Sequence, residues 1–289
     1  MGLNMWLKSL FKSESIIQPT TMDMLNPMID DSKKSSENLS VFHRLDVREN
    51  AFYVTQKSPY KMDGVLKPQT IDKVFDFAYK MAFSSEGEHR SRRSGGDHTR
   101  RNGEIFANTF QGKIAECAAC NYFYKFDKNI IPDFSVYKLG KWDTVDLSVC
   151  GKEIAVKSTK YFGQLLLLET KDWDRNGNYI PNIDKTVSSY DLLVLIRMKP
   201  SCEDILKQNR LLYSDFIKRK DLHCLLIKHA WSYNYVGYIT KNDLIHVICN
   251  KYTLPKGALL NGSTLMDAEN YYVQAGDMRS LSQCEKLFL

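Results

Sequence analysis

The stretch that decides the fold is DLSVCGKEIAVKST, residues 146–159, which predicts two short strands joined by a tight turn. Gly151 and Lys152 form the predicted turn centre, because glycine at the first central position suits a type II′ turn. This turn places Asp146 opposite Lys157 on the neighbouring strand. Opposed side chains in such a pair have Cβ atoms about 5 Å apart. The stretch therefore predicts an acid and a lysine within reach of one bound group.

The same hairpin alternates apolar and polar residues, which is the pattern of a strand pair with one buried face. The residues predicted to face the core are Leu147, Val149, Ile154 and Val156. The residues predicted to share the opposite face are Asp146, Ser148, Glu153, Ala155 and Lys157. A plain surface hairpin with a cross-strand salt bridge would show the same alternation, so spacing alone leaves both interpretations open.

The sequence around the hairpin predicts an α/β fold with a mixed central β-sheet flanked by helices. Residues 70–83, TIDKVFDFAYKMAF, indicate a helix with Thr70 as its N-cap. Residues 102–126 predict one long helix or two short ones. The apolar run SSYDLLVLIRM, residues 188–198, is typical of a central strand. Residues 223–239 predict one or two further strands.

Composition divides the 289 residues into three regions. Residues 1–45 are polar over much of their length and predict a flexible N-terminal segment. Residues 46–100 predict a helical N-terminal region that ends in an arginine-rich loop. Residues 101–289 predict the folded core. At 43% hydrophobic residues the chain has enough apolar side chains for a sizeable core.

Charge and cysteine content narrow the protein class. The formal net charge is +6, and the stretch HRSRRSGGDHTRR, residues 89–101, holds five arginines. This stretch is either a solvated loop or a segment that contacts phosphate groups. Seven cysteines at irregular spacing fit a reducing compartment, and Cys117 and Cys120 are predicted packing residues. No apolar run reaches 18 residues, so we expect a cytoplasmic protein without a membrane span.

Three polar residues together resemble the PD-(D/E)xK nuclease superfamily. That family has an acid at the start of one strand, an acid-x-Lys on the next strand and a glutamate from a preceding helix. The matching residues are Glu116 in QGKIAE, Asp146 in TVDLSV and Lys157 in IAVKST. The resemblance covers roughly residues 100–289 and implies a restriction-endonuclease-like core.

One position departs from the family pattern, since Ala155 stands where an acid is expected. Three explanations are open. The alanine is an engineered replacement of Glu or Asp, or the acid has moved to Glu153 on the same face, or the chain is a natural relative that binds DNA without cutting it.

The resemblance also implies a metal and roles for the matched residues. Mg²⁺ is the expected cofactor, with Mn²⁺ as a substitute, because carboxylate oxygens are its preferred ligands. Asp146 would be the principal ligand, position 155 (here Ala155) the second ligand, and Glu116 the ligand of a second ion or of a bound water. Lys157 would orient or deprotonate the attacking water, or stabilise the charged transition state.

The implied activity is that of a type II restriction-like endodeoxyribonuclease, acting on double-stranded DNA as a homodimer in phage defence. The residues predicted to contact DNA are Arg90, Arg92, Arg93, Arg100, Arg101, Lys160 and Gln164. Three alternatives remain: a DNA-binding protein without catalysis on a nuclease fold, a nuclease that acts on RNA, and an interaction protein whose hairpin is only a surface element.

Overall fold

The structure is a computed structural model that describes residues 41–84, 99–135, 146–182 and 188–288. These residues lie in one compact unit, Leu39–Leu289. The strands are β1 Asp46–Arg48, β2 Ala51–Tyr53, β3 Gly64–Val65, β4 Leu147–Val149, β5 Lys152–Lys160, β6 Leu165–Glu169, β7 Leu192–Lys199, β8 Ser232–Thr240, β9 Thr253–Leu254, β10 Leu259–Leu260, β11 Thr264–Leu265 and β12 Asn270–Gln274. The helices are α1 Pro68–Phe83, α2 Asn102–Phe123, α3 Cys202–Gln208, α4 Arg219–Ile227 and α5 Lys241–Cys249, with 3-10 helices at Thr170–Asp172, Ile180–Asn182, Ala275–Asp277 and Leu281–Leu287.

The main sheet has the strand order β3-β8-β7-β5-β4. β5 and β7 are parallel, and the other neighbouring pairs are antiparallel. The predicted α/β class with a mixed sheet is therefore confirmed. Two smaller sheets have the orders β1-β2-β10-β11 and β6-β12-β9.

Both faces of the main sheet are covered, so β7 is buried from Leu192 to Met198. Alternate residues of a strand point to opposite faces. Val194 and Ile196 join the core under α1 and α2, whereas Leu193 and Leu195 join the core formed with α5, β6 and β12. The prediction of a central strand at residues 188–198 is confirmed.

The first two helices match their sequence patterns with one correction. α1 begins at Pro68, with Lys67 as its N-cap, so the predicted Thr70 cap is wrong. The physical reason is Pro68. Proline is favoured at the first helical position, because the backbone N–H that it lacks would have no partner within the helix there. α2 runs without a break through Gly112, so of the two alternatives left open by the sequence the structure has the single long helix.

The β4–β5 hairpin turns one residue earlier than predicted. Val149 pairs with Lys152, so Cys150 and Gly151 are the central residues, with φ values of 49° and 77°. Two positive φ values indicate a type I′ turn instead of type II′. The predicted register is therefore wrong by two residues. The grouping of residues into two faces is unaffected, because a shift of two residues keeps every side chain on its side. The prediction of a single buried face is wrong, since Ala155 on the opposite face is fully buried in a second core.

The C-terminal half contains one element that the sequence interpretation missed. The first part of residues 223–239 belongs to α4, and β8 begins only at Ser232. The strand prediction therefore holds for the second part alone. Among the described residues, no helix combines the length and the apolar composition that a membrane span requires.

The start of the described chain packs against the body. Phe42 and Leu45 are buried, and the backbone N–H of His43 donates to Asp277 Oδ2 at 2.8 Å. The rest of the segment predicted to be flexible, residues 1–40, lies outside the described residues. The division drawn between residues 100 and 101 separates α1 from α2, two helices of one core.

Candidate functional site

Asp146 directly precedes β4 and extends the pairing of the hairpin. Its Oδ2 accepts a hydrogen bond from the backbone N–H of Val156 at 2.7 Å. Its Oδ1 accepts no hydrogen bond from the residues that the structure describes. The observed register, in which Leu147 pairs with Ile154, continues to Asp146 beside Ala155. The predicted direct pairing of Asp146 with Lys157 is therefore wrong, since Lys157 lies two residues, or about 7 Å, further along β5.

A cleft of about 460 Å³ adjoins this part of β5. The described residues that line it are Arg100, Asn108, Val156, Lys157, Ser158, Thr159, Leu165, Leu167 and Leu195. They supply two cations, two hydroxyl groups and one amide, and none of them is acidic. Charged donors of this kind bind phosphate oxygens strongly. The cleft therefore has the chemistry of a phosphate-binding site.

The cleft brings together two residues that the sequence singled out. Lys157 is half-buried, with its Nζ 5.9 Å from the centre of the Tyr179 ring. Arg100 is also half-buried and comes from the segment before α2. Asp146 is not a lining residue, but its carboxylate accepts a hydrogen bond from the backbone N–H of Val156, which lines the cleft. Residues far apart in sequence thus bring two cations to one cleft, and Asp146 bonds to the backbone of the strand that lines it.

The other predicted arginines have different positions. Arg101 is the N-cap of α2, and its Nη1 lies 2.5 Å from Asp215 Oδ2. Both side chains of this pair are more than half exposed, so the pair adds little stability. Arg90, Arg92 and Arg93 lie outside the described residues.

Glu116 has its charge balanced within the protein. It forms an ion pair with Lys113, whose Nζ also donates to the Asp133 carbonyl at 2.8 Å. Both side chains of the pair are largely buried. Glu116 lies eight residues beyond Asn108 on α2, which is about 12 Å along the helix axis.

The oxygen donors near the cleft suit a Mg²⁺ ion held jointly by protein and substrate better than one held by protein side chains alone. Among the described residues, no group of three or more His, Cys, Asp or Glu side chains is placed to hold a metal ion. Ala155 is fully buried and contributes only a methyl group. Mg²⁺ is commonly held by one or two carboxylates together with substrate phosphates. Asp146, with Oδ1 open, is the described carboxylate that suits this second mode.

Glu153 does not take the place of the acid missing at 155. Its backbone N–H donates to Asp191 Oδ2 at 2.8 Å, and its Oε1 lies 3.4 Å from Ser148 Oγ. It stands four residues before Lys157, about 13 Å along the strand. Its Oε2 is buried and has no hydrogen-bond partner among the described residues. Burial raises the pKa of the Glu153 carboxyl above its ordinary value of 4.5, and the nearby Asp191 carboxylate adds to the rise.

This raised pKa predicts a pH-dependent effect of Glu153→Gln. The folded state holds the Glu153 proton more tightly than the unfolded state does, so the contribution is most favourable below about pH 4.5 and is lost as pH rises through the folded pKa. We expect Glu153→Gln to raise Tm relative to the parent at pH 7–8 and to lose this advantage near pH 4. Thermal unfolding followed by circular dichroism measures it.

The control for this experiment is Glu49→Gln, which removes one charge from an exposed glutamate. An equal change in both variants at every pH would assign the effect to net charge and contradict the role given to burial.

Two side chains predicted to contact DNA already bond to other residues of the protein. Lys160 Nζ lies 2.8 Å from Asp204 Oδ1 and 3.2 Å from Glu203 Oε1. The Gln164 amide accepts from Ser58 N at 2.9 Å and donates to Ser58 O at 3.1 Å. The Gln164 amide therefore fixes Ser58 in this structure, and its oxygen already accepts from Ser58 N and from Arg197 Nη2.

The cleft also contains residues that the sequence interpretation did not assign. Ser158 and Thr159 directly follow Lys157 in the sequence KST, so their place beside a candidate site residue could have indicated them. Asn108 had no such signal, because only the packing of α2 across β5 places it there.

The cysteines of the C-x-x-C sequence are packing residues in this structure. Cys117 and Cys120 are buried in the core under α1 and α2. Burial raises the pKa of both thiols to about 12, which disfavours the thiolate that a metal or an electrophile requires.

No protein-family model, curated protein or solved structure matches this chain. The PD-(D/E)xK resemblance therefore depends on the order along the chain of Glu116 on α2, Asp146 just before β4 and Lys157 on β5.

Proposed function

We propose that the cleft beside β5 is the DNA site of a nuclease of the PD-(D/E)xK type, and that Ala155 makes hydrolysis by this chain slow. The observation that carries the proposal is the convergence of Lys157 and Arg100 on one cleft, with Asp146 bonded to the backbone of the lining residue Val156. Two cations would bind a phosphodiester, and the Asp146 carboxylate would act on the same group. The net charge of +6 favours a polyanionic substrate.

Each side chain has a distinct task in this proposal. The Arg100 guanidinium binds a phosphate oxygen and orients the backbone. The Lys157 ammonium stabilises the charge that develops on the phosphate, or orients the attacking water. Asp146 is the carboxylate that would hold Mg²⁺. When bound, Mg²⁺ supplies charge neutralisation and a lowered pKa for water. The Thr159 hydroxyl, on the same face of β5 as Lys157, donates a further hydrogen bond to the phosphodiester.

The phosphate contacts are tested by removing the two cations of the cleft. Each phosphate contact contributes about 0.9 to the slope of log K against log salt concentration. We expect the double variant Arg100→Gln, Lys157→Met to lower this slope by about 2 and to weaken binding to duplex DNA at low salt. Fluorescence anisotropy over a series of salt concentrations measures both quantities.

The matched control removes two cations that are exposed elsewhere, with Arg48→Gln and Lys128→Met. If this control and the cleft variant change the slope equally, the cleft is not the DNA site. If the parent binds single-stranded RNA more tightly than duplex DNA, the substrate class is RNA instead.

A second candidate is a DNA-binding protein that does not cut. The observation that favours it is Ala155, which is fully buried and packs with Leu193 and Leu195. An alanine that fits its surroundings this well suits a site that is used only for binding.

A further inference from the structure

The connection between β5 and β6 presents two aromatic side chains to solvent. Gly163 N donates to Lys160 O at 2.8 Å, which closes a β-turn with Tyr161 and Phe162 at its centre. Their exposures are 39% and 59%. Turn centres usually hold Gly, Pro, Asn, Asp or Ser for conformational reasons. Two large exposed aromatic residues at such a centre add little to the core, so they indicate a surface that contacts a ligand.

A buried arginine donates hydrogen bonds to the end of the turn. Arg197 is fully buried in β7, and its Nε donates to Gly163 O at 2.7 Å. Its Nη2 lies 3.0 Å from Gln164 Oε1, and Gln164 is in turn bonded to Ser58. A methyl group at position 163 would lie 2.2 Å from Thr159 Oγ1, so only glycine allows this close approach. The backbone that carries Tyr161 and Phe162 is therefore fixed before a ligand binds, which lowers the conformational entropy cost of binding.

The surroundings of the turn suit a nucleic acid. Lys199 Nζ lies 5.3 Å from the centre of the Tyr161 ring, and Tyr60 packs edge-on against that ring at 6.4 Å. Lys57 and Lys61 are exposed on the segment that carries Tyr60. The positive charge of Lys160 is balanced by Glu203 and Asp204. Aromatic faces flanked by cations bind stacked bases and their phosphates.

The turn also lies within reach of DNA in the cleft. Five residues separate Lys157 from Phe162, a span of at most about 18 Å. DNA rises by about 3.4 Å per nucleotide along one strand, so this span corresponds to about five base pairs. We propose that Phe162, supported by Tyr161, inserts at a base step of the DNA held in the cleft and unstacks it, as apolar wedges do in other DNA complexes. This inference rests on the proposed DNA-binding function.

The test uses the full chain and mixed-sequence duplexes in which 2-aminopurine replaces adenine throughout one strand. Unstacking raises 2-aminopurine fluorescence, and anisotropy of a labelled duplex reports binding separately. We expect the parent to raise the fluorescence, and Phe162→Ala to abolish that rise and weaken binding about tenfold, since base stacking on an aromatic side chain is worth about 1–3 kcal/mol. Tyr161→Ala should reduce the rise.

The control variant is Tyr124→Ala, which removes an aromatic residue that is 51% exposed at the far end of α2, about 24 Å along the helix from Asn108. Binding without any rise in fluorescence, or an undiminished rise with Phe162→Ala, would overturn the wedge while leaving the DNA site intact. No binding by the parent would overturn the proposed function as well. Self-association of the parent that Phe162→Ala abolishes in sedimentation velocity, with DNA binding unchanged, would assign the turn to a second copy of the chain instead.

Discussion

Arg197→Met is expected to lower the free energy of unfolding by about 3 kcal/mol or more. The guanidinium is fully buried and donates to Gly163 O, to Gln164 Oε1 and, at 3.4 Å, to Asn234 Oδ1. Methionine fills much of the same volume but donates nothing. Gln164 Oε1 would keep the hydrogen bond from Ser58 N, whereas Gly163 O and Asn234 Oδ1 would lose their donor. Each buried acceptor left unpaired costs about 1–3 kcal/mol, so these two account for the expected loss.

Equilibrium unfolding in urea measures this effect, with the slope m checked for two-state behaviour. The control is Arg219→Met, which breaks the ion pair with Asp76 on the surface. Both partners of that pair are more than half exposed, so we expect its loss to cost about 0–1 kcal/mol. Equal destabilisation by the two variants would show that Arg197 does not hold the turn.

The same variant separates two roles of the turn. If Arg197 fixes the turn before DNA arrives, Arg197→Met should also reduce the rise in 2-aminopurine fluorescence at temperatures where the variant is fully folded. A folded variant with a full fluorescence rise would mean that DNA binding itself orders the turn.

The sequence was most informative where the pattern is long or the strand is fully buried. The apolar spacing of α2 extends over many turns, and β7 begins with five consecutive apolar residues, Leu192–Ile196, so both elements were predictable. The hairpin register was not, because it depends on one residue at the turn. Cys150 adopts a positive φ, a conformation that is unusual for cysteine. The Asp146 bond to Val156 stabilises this register from within the hairpin, whereas the pairing of β5 with β7 is not local in sequence.

Predicting the candidate site from the sequence was limited in the same way, because contacts between residues far apart in the chain are not visible in the sequence. Lys157 and Arg100 stood out because their charges cluster with other signals. Lys160 and Gln164 looked equally suited to DNA, but their partners lie far along the chain. Asp204 is 44 residues from Lys160, and Ser58 is 106 residues from Gln164. Only tertiary packing reveals that such polar side chains are already satisfied.

Ala155→Asp is expected to have the largest effect on activity. The observed register continues to position 155 directly beside Asp146, where Cβ atoms of facing residues lie about 5 Å apart. Two adjacent carboxylates would hold Mg²⁺ more tightly than one. Metal stabilisation of the charged transition state is worth several kcal/mol, so plasmid cleavage in Mg²⁺ should be at least about 100-fold faster than in the parent.

The cost of this substitution supplies an independent measurement. Position 155 is fully buried, and an unpaired carboxylate there is unfavourable. We therefore expect Ala155→Asp to have a lower Tm than the parent without metal and to recover much of it when Mg²⁺ is added. Ala155→Asn has nearly the same shape without the charge, so its Tm should not respond to Mg²⁺ and its cleavage should stay at the parent level.

Together the two readouts distinguish the proposed function from its rival. Faster cleavage and a Mg²⁺-dependent Tm in Ala155→Asp alone, both absent in Ala155→Asn, would establish the hairpin as a nuclease site that lacks one acid. Cleavage by the aspartate variant should then fall again when Lys157→Met is added. A Mg²⁺-dependent Tm with intact DNA binding and no gain in cleavage would mean that the metal site can be rebuilt without the chemistry. The chain would then be a DNA-binding protein in which Lys157 serves as a phosphate contact.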